Sequence, residues 1–346
     1  MNMLIYIAQL THRSNGVNQN RSFPLAAGCL AEALAQEFDA QIKVRIFKDP
    51  AGLSACVKSE PPDALMLSNY LWNERLSLAF AAKARRNYPD MLIVMGGPNL
   101  SNDRVALIGF LKANSFIDKI VLHEGELAAV AIVKKFLETK DRFAVRRERI
   151  PSAISLVGDK VIDGIWDTEN ETADAKPGET GGATLDDIPS PYLSGRFDRF
   201  FTDGEHPLIE TARGCPFQCA YCQQGRRNNK RVRHYSHERV RAEVMYISRK
   251  IRERGVDIKT LSIADSNLAM YERDMDTIGV IREAQDKYGF PMFIICSTGK
   301  NKPALVTEAI LKLKPDSILY RNSLQSLNEP TLEAIQRSNR VNPFFS

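Results

Sequence analysis

Three cysteines within eight residues are the part of this sequence best suited to chemistry. Cys215, Cys219 and Cys222 stand at the spacing CxxxCxxC in Arg213-Gly214-Cys215-Pro216-Phe217-Gln218-Cys219-Ala220-Tyr221-Cys222, directly after a short apolar run. A loop of that length can wrap three thiolates around one face of a cubane iron–sulfur cluster. Three sulfurs for four irons leave one iron open, and an amino acid offering its amine and carboxylate can chelate it beside a one-electron donor. A zinc site built from the same thiols with His206, His234 or His237 competes with this reading, although structural zinc more often pairs CxxC knuckles. Cys29, Cys56 and Cys296 stand alone in the chain and read as incidental buried thiols.

Compartment and scaffold follow from the remaining residues. A net charge of +5 over 346 residues is too mild to point to nucleic acid or to an anionic membrane. Met1-Asn2-Met3-Leu4-Ile5-Tyr6 has no basic residue ahead of its apolar run, so it reads as a core strand and not a secretion signal. No stretch approaches the roughly 20 apolar residues of a membrane helix. The expected location is the cytoplasm, where thiols stay reduced and clustered cysteines hold a metal or cofactor in place of disulfides.

Residues 1–140 alternate apolar runs with amphipathic stretches. Strands are predicted at 3–8, 42–47, 64–68, 92–95 and 119–122, with helices at 24–38, 74–87 and 127–137 among them. Continuous apolar strands separated by helices predict a parallel sheet covered on both faces, here a doubly wound Rossmann-like α/β domain of about five strands. Residues 141–205 lose that rhythm and are expected to form a hairpin across Gly158-Asp159, then an acidic connector at 169–184 and a strap at 185–193. A second alternation fills 206–346, with strands at 208–211, 260–263, 292–295 and 317–320 and helices at 236–254, 275–288, 303–313 and 330–337. It predicts a partial β/α barrel.

With Tyr221 just before its last thiol, and placed at the end of a first barrel strand, the CxxxCxxC loop resembles the defining motif of the radical S-adenosylmethionine (SAM) enzymes. Leu185-Asp186-Asp187-Ile188-Pro189-Ser190-Pro191-Tyr192, Gln325-Ser326-Leu327-Asn328 and Ile335-Gln336-Arg337-Ser338-Asn339 resemble the subgroup with an N-terminal cobalamin-binding domain. The resemblance implies a 4Fe–4S cluster on Cys215, Cys219 and Cys222 with SAM on the open iron. It places Tyr221, Asp265 and Asn267, then Ser297 and Gln325, around that cofactor. It also implies reductive cleavage of SAM and methyl transfer to an unactivated carbon of a small-molecule substrate, with an electron donor such as flavodoxin or ferredoxin. A radical cyclase or methylthiotransferase without cobalamin, or an inactive cobalamin- or redox-binding fragment, are the alternatives. The family's full barrel has six strands and only four fit before Ser346, so an incomplete barrel is expected, from a shortened chain or one completed by a partner.

Cobalamin would lie where a doubly wound sheet binds ligands, at the carboxyl ends of its strands. Those ends carry Ser68, Tyr70 and Trp72, then Gly96 and Gly97, where small residues let a bulky group approach the backbone. The resemblance adds Glu124 and Gly125 at the corrin edge. No GxGxxG opens a first helix, so the dinucleotide fingerprint is missing. His12 lacks the Asp-x-His-x-x-Gly setting of a cobalt-ligating loop and is read as a polar loop residue. Arg226, Arg227, Lys230, Arg231 and Arg233 form a basic run read as a solvated face, able also to meet an anionic substrate or electron donor; without interleaved aromatics, nucleic acid is not expected.

Overall fold

The computed structural model describes residues 2–14, 17, 18, 20–166, 184–222, 224, 232–299, 301–318, 325, 326 and 328–337. Most of the predicted connector, four of the five residues of the basic run, the end of the fourth predicted strand and residues 338–346 lie outside these. By contact the chain divides into two units, Met1–Asn20 with Ala26–Gly182 and Arg21–Leu25 with Ala183–Ser346.

The first unit runs β1 (Met3–Ala8), a short pair β2 (Arg13–Ser14) and β3 (Val17–Asn18), α1 (Leu25–Phe38), β4 (Ile42–Phe47), α2 (Pro50–Ser59), β5 (Ala64–Ser68), α3 (Glu74–Asn87), β6 (Leu92–Gly96), α4 (Arg104–Ala113), β7 (Lys119–Val121), α5 (Glu126–Thr139), α6 (Arg142–Arg147), β8 (Ala153–Val157) and β9 (Lys160–Asp163). Its sheet has seven strands in the order β4-β1-β5-β6-β7-β8-β9. The first five are parallel, in register Ile5–Ala64 and Leu65–Ile93. Successive strands are added to one side of β1 with β4 and to the other from β5 on, so the switch point lies between β1 and β5, the crevice where such a sheet takes ligands.

Every residue of β1 is buried, because both faces of the strand are covered. Leu4, Tyr6 and Ala8 point to one face with Leu65, Leu67, Ile93, Met95 and Ile120, against Leu53 of α2, Ala81 and Ala84 of α3, and Leu107 and Leu111 of α4. Fully burying each large aliphatic side chain contributes roughly 1.5–3 kcal/mol. Tyr6 keeps its hydroxyl satisfied inside this core by donating to the Glu60 carbonyl at 2.8 Å. The hairpin predicted at 153–162 forms as β8 and β9. It pairs antiparallel with β7 and so extends the first sheet.

The second unit adds β10 (Leu208–Ile209), β11 (Ala212–Arg213), β12 (Arg233–His234), α7 (His237–Arg254), β13 (Thr260–Ile263), α8 (Asp274–Tyr288), β14 (Phe293–Ile295), α9 (Pro303–Lys312) and α10 (Glu329–Ala334). β10, β13 and β14 are parallel neighbours, and a bridge from Ile294 to Ile318 continues in the same sense. Residues 185–193 lie along α7. Ser190 Oγ donates to Glu243 at 2.6 Å, Arg239 donates to the Ile188 carbonyl at 2.9 Å, and Asp186 accepts the Ser236 N–H. Phe23 is buried in this unit among Tyr192, Phe197, Phe200 and Phe201. Among the described residues no helix is long and apolar enough to cross a membrane.

Candidate functional site

The predicted strand at 208–211 ends early, and its termination builds the cysteine loop. Beyond Ile209 the N–H groups of Thr211 and Ala212 turn to the Asp265 carboxylate, at 2.7 and 3.1 Å, and the Thr211 hydroxyl donates to the same group. Ala212 and Arg213 then pair antiparallel with Arg233 and His234, closing the base of a long loop. Gly214 follows at φ 102, a conformation that L side chains rarely adopt, and turns the chain into Cys215. Inside the loop the Cys222 N–H donates to the Cys219 carbonyl at 3.0 Å.

Cys215, Cys219 and Cys222 line one cavity of about 310 Å³, and the loops leaving β13 and β14 line it with them. Five residues predicted around the cofactor, Tyr221, Asp265, Asn267, Ser297 and Gln325, share that lining. Phe217, Gln224, Ser266, Asn301 and Arg337 also reach it and were not singled out by sequence. Arg337 stands in the stretch Ile335–Asn339 that carries part of the resemblance, but sequence assigned it no role of its own.

Polar groups in the cavity are held by specific partners. Asp265 is buried, and burial pushes its carboxyl up to about 6 despite the hydrogen bonds from Thr211 and Ala212. Asn267 Nδ2 lies 3.2 Å from Cys215 Sγ. Arg337 Nη1 lies 3.6 Å from Cys219 Sγ and 2.9 Å from the Tyr221 hydroxyl, whose ionisation burial pushes up. Gly299 packs against Met270, where an added Cβ would stand 3.0 Å from Cα, so the loops after β13 and β14 lie close together.

The donor set fits an iron–sulfur cluster. All three thiols are free, Cys215 and Cys219 are buried, and N–H donors flank those two sulfurs, as sulfurs carrying negative charge require. His206 instead contacts Ser22, His234 packs on Tyr271, and His237 pairs with Asp276. Among the described residues, no three His, Cys, Asp or Glu side chains are grouped as ligands of a single ion.

A second candidate site lies at the carboxyl edge of the first sheet. The Gln9 side-chain oxygen, just past β1 at the switch point, is buried and has no hydrogen-bond partner among the described residues. After β5, the rings of Tyr70 and Trp72 stack at 4.4 Å and Trp72 is exposed. An unmet buried acceptor after β1 and an exposed aromatic pair after the neighbouring β5 fit a large planar ligand rich in amide donors, such as cobalamin. Other residues predicted there serve the fold itself. Ser68 accepts from Asn73 Nδ2 at 3.0 Å, and its carbonyl accepts from Ser77. At Gly97, φ 127, a Cβ would stand 2.5 Å from the Asn69 carbonyl oxygen, and at Gly96 one would meet the Val121 carbonyl at 3.2 Å. The close approach these glycines allow is to the protein's own backbone. Gly125 packs under Leu30 at the start of α5, with Glu124 half-buried beside it. His12 is exposed.

Fold and site together define an α/β protein with a parallel-rich sheet and a three-cysteine loop at the end of a second parallel strand set. No protein-family model matches the chain. TokK of Streptomyces tokunonensis, a cobalamin-dependent radical SAM methyltransferase, is 29% identical over 343 residues, which is 94% of this chain and 46% of that protein. The 2-(S-pantetheinyl)-carbapenam-3-carboxylate methyltransferase of Streptantibioticus cattleyicolor is 28% identical over 344 residues, with the same coverage of each. The solved structure of OxsB, a cobalamin-dependent S-adenosylmethionine radical enzyme with aqua-cobalamin and SAM bound, matches 98% of this chain and 46% of its own at a TM-score of 0.66 and 14% identity. That likeness is one of fold. Over 94% of its length the chain is similar to these two methyltransferases, and it spans about half the length of the curated relatives it matches.

Proposed function

We propose that this chain holds a 4Fe–4S cluster on Cys215, Cys219 and Cys222 and cobalamin on its first unit. The reaction is methylation of an unactivated carbon in a small molecule. The observation that carries this reading is the shared cavity. Three thiols and the polar residues that follow two further parallel strands line one wall-to-wall space of about 310 Å³. We read β10, β13, β14 and the Ile294–Ile318 bridge as the opening strands of a partial β/α barrel of the radical SAM kind.

The cluster, when held, supplies one electron to the sulfonium of SAM at its open iron, and cobalamin supplies a methyl carrier. The chain's residues do the positioning. Asp265 fixes the base of the loop through Thr211 and Ala212, and Gly214 aims Cys215. Ser297, Asn301 and Gln325 offer hydroxyl and amide groups to the polar ends of SAM, while Phe217 and Tyr221 exclude water. Gln9 and the Tyr70–Trp72 pair face the corrin. In balance, two SAM, two electrons from a donor such as flavodoxin or ferredoxin, and one substrate C–H give the C-methyl product. Methionine, 5′-deoxyadenosine and S-adenosylhomocysteine are the by-products, and the abstracted hydrogen ends on deoxyadenosine.

Anaerobic reconstitution tests it. The wild-type chain should take up iron and sulfide in equal amounts and, reduced with SAM, release 5′-deoxyadenosine. S-Adenosylhomocysteine should follow only when cobalamin is added. A colourless protein that binds zinc stoichiometrically, or a Cys215→Ala, Cys219→Ala, Cys222→Ala triple variant that keeps its iron, overturns the reading.

A further inference from the structure

Two of the three loop sulfurs lie against nitrogen donors that arrive from distant elements. Asn267, in the turn after β13, places Nδ2 3.2 Å from Cys215 Sγ, 52 residues away in sequence. Arg337, after α10, places Nη1 3.6 Å from Cys219 Sγ across 118 residues. The backbone fixes the second donor. Arg337 N–H donates to the Leu332 carbonyl at 2.8 Å, and the Ala220 N–H of the cysteine loop donates to the Ile335 carbonyl at 3.0 Å. Between them Gln336 adopts φ 53, a conformation unfavourable for a residue with a Cβ. That left-handed residue turns the chain back so that the guanidinium meets the loop.

We propose that Arg337 sets the reduction potential of the cluster, with Asn267 as its neutral counterpart. This rests on the cluster reading above. Reduction adds an electron to iron held by three thiolates, so negative charge grows on the sulfurs. A fixed positive charge and N–H donors at those sulfurs stabilise the reduced form more than the oxidised one. Arg337 is suited to this task because a guanidinium joins positive charge to several N–H donors in one planar group. Its bond to Tyr221 at 2.9 Å orients it there.

The test uses the full chain, reconstituted anaerobically without SAM. Iron and sulfide content and the midpoint potential, followed by EPR during a redox titration, are compared for wild type, R337K, R337Q, N267A and Y221F. R337Q should lower the potential by at least a tenfold change in the oxidised-to-reduced ratio, about 59 mV for one electron. R337K should restore most of that change, N267A should shift the potential the same way by less, and Y221F, which removes the bond that orients Arg337, should lower it by part of the R337Q change. Full cluster content in R337Q with the wild-type potential overturns the proposal and leaves the cluster reading standing. A wild-type chain that loads no cluster overturns the cluster reading itself. Should R337Q lose its cluster, N267A decides: an unchanged potential there overturns the proposal and a lowered one supports it.

Discussion

Replacing Asp265 by Asn should change how stability depends on pH in a way no exposed carboxylate could. Asp265 is 5% exposed, and burial pushes its carboxyl from 3.8 up to about 6. The native state therefore binds this proton more tightly than the unfolded chain does. Its contribution to stability is fully present below pH 3.8 and is lost as pH rises through 6. At 1.36 kcal/mol per pH unit the whole change is about 3 kcal/mol, of which about 1.5 kcal/mol falls between pH 4.5 and 6. Asn keeps the shape and one acceptor oxygen for the Thr211 and Ala212 N–H groups but does not titrate. Urea unfolding of the cluster-free, reduced chain at several pH values gives the difference between wild type and D265N at each. That difference should decline by about 1.5 kcal/mol over pH 4.5–6 and level off above. A flat difference would show that the hydrogen bonds offset burial. A rising one would show that they hold the group below the ordinary carboxylate range. Either result refutes the reasoning.

Three further outcomes follow from the first unit. Asp118 is fully buried against Arg85 and Arg142, at 2.5 and 2.9 Å, so D118N strands two half-sequestered guanidinium groups and should cost about 3–5 kcal/mol in chemical denaturation. Gly97→Ala puts a Cβ within 2.5 Å of the Asn69 carbonyl at φ 127, and should lower stability by more than about 2 kcal/mol, measured the same way. Lys119 is buried and burial lowers its ammonium to about 8. Between pH 8 and 10.5 the unfolded chain holds more protons than the native one, so stability should rise by up to about 3 kcal/mol there. Lys119→Met should flatten that rise.

The parallel sheet of the first unit was legible because strands covered on both faces read as unbroken apolar runs. Met3–Ala8 is buried at every position, and no surface strand has that pattern. The hairpin of β8 and β9 was legible as a local pairing through Gly158-Asp159. Which sheet it joined was not, because edge-to-edge registry with β7 leaves no mark within the hairpin. The stretch 208–211 was read as one strand, since Leu208, Ile209 and Thr211 all suit a strand. It breaks because the N–H groups of Thr211 and of Ala212 just beyond it are claimed by Asp265, 54 and 53 residues away.

The site divides along the same line. Thiol spacing is a local signal, and so are the polar turns after β13 and β14, because a parallel sheet delivers every carboxyl end to the same edge. Asn267 and Arg337 differ in how they reach that edge. Asn267 arrives with its strand, and only its partner, the Cys215 sulfur, could not be read from the chain. Arg337 arrives because Gln336 takes a left-handed turn and Ala220 grips the Ile335 carbonyl. The stretch around Arg337 carries part of the resemblance, but a residue placed by a strained turn and one long-range hydrogen bond shows nothing, in sequence, of the sulfur it meets. The thiols should therefore decide whether metal is held, and the long-range donors should decide how readily that metal is reduced.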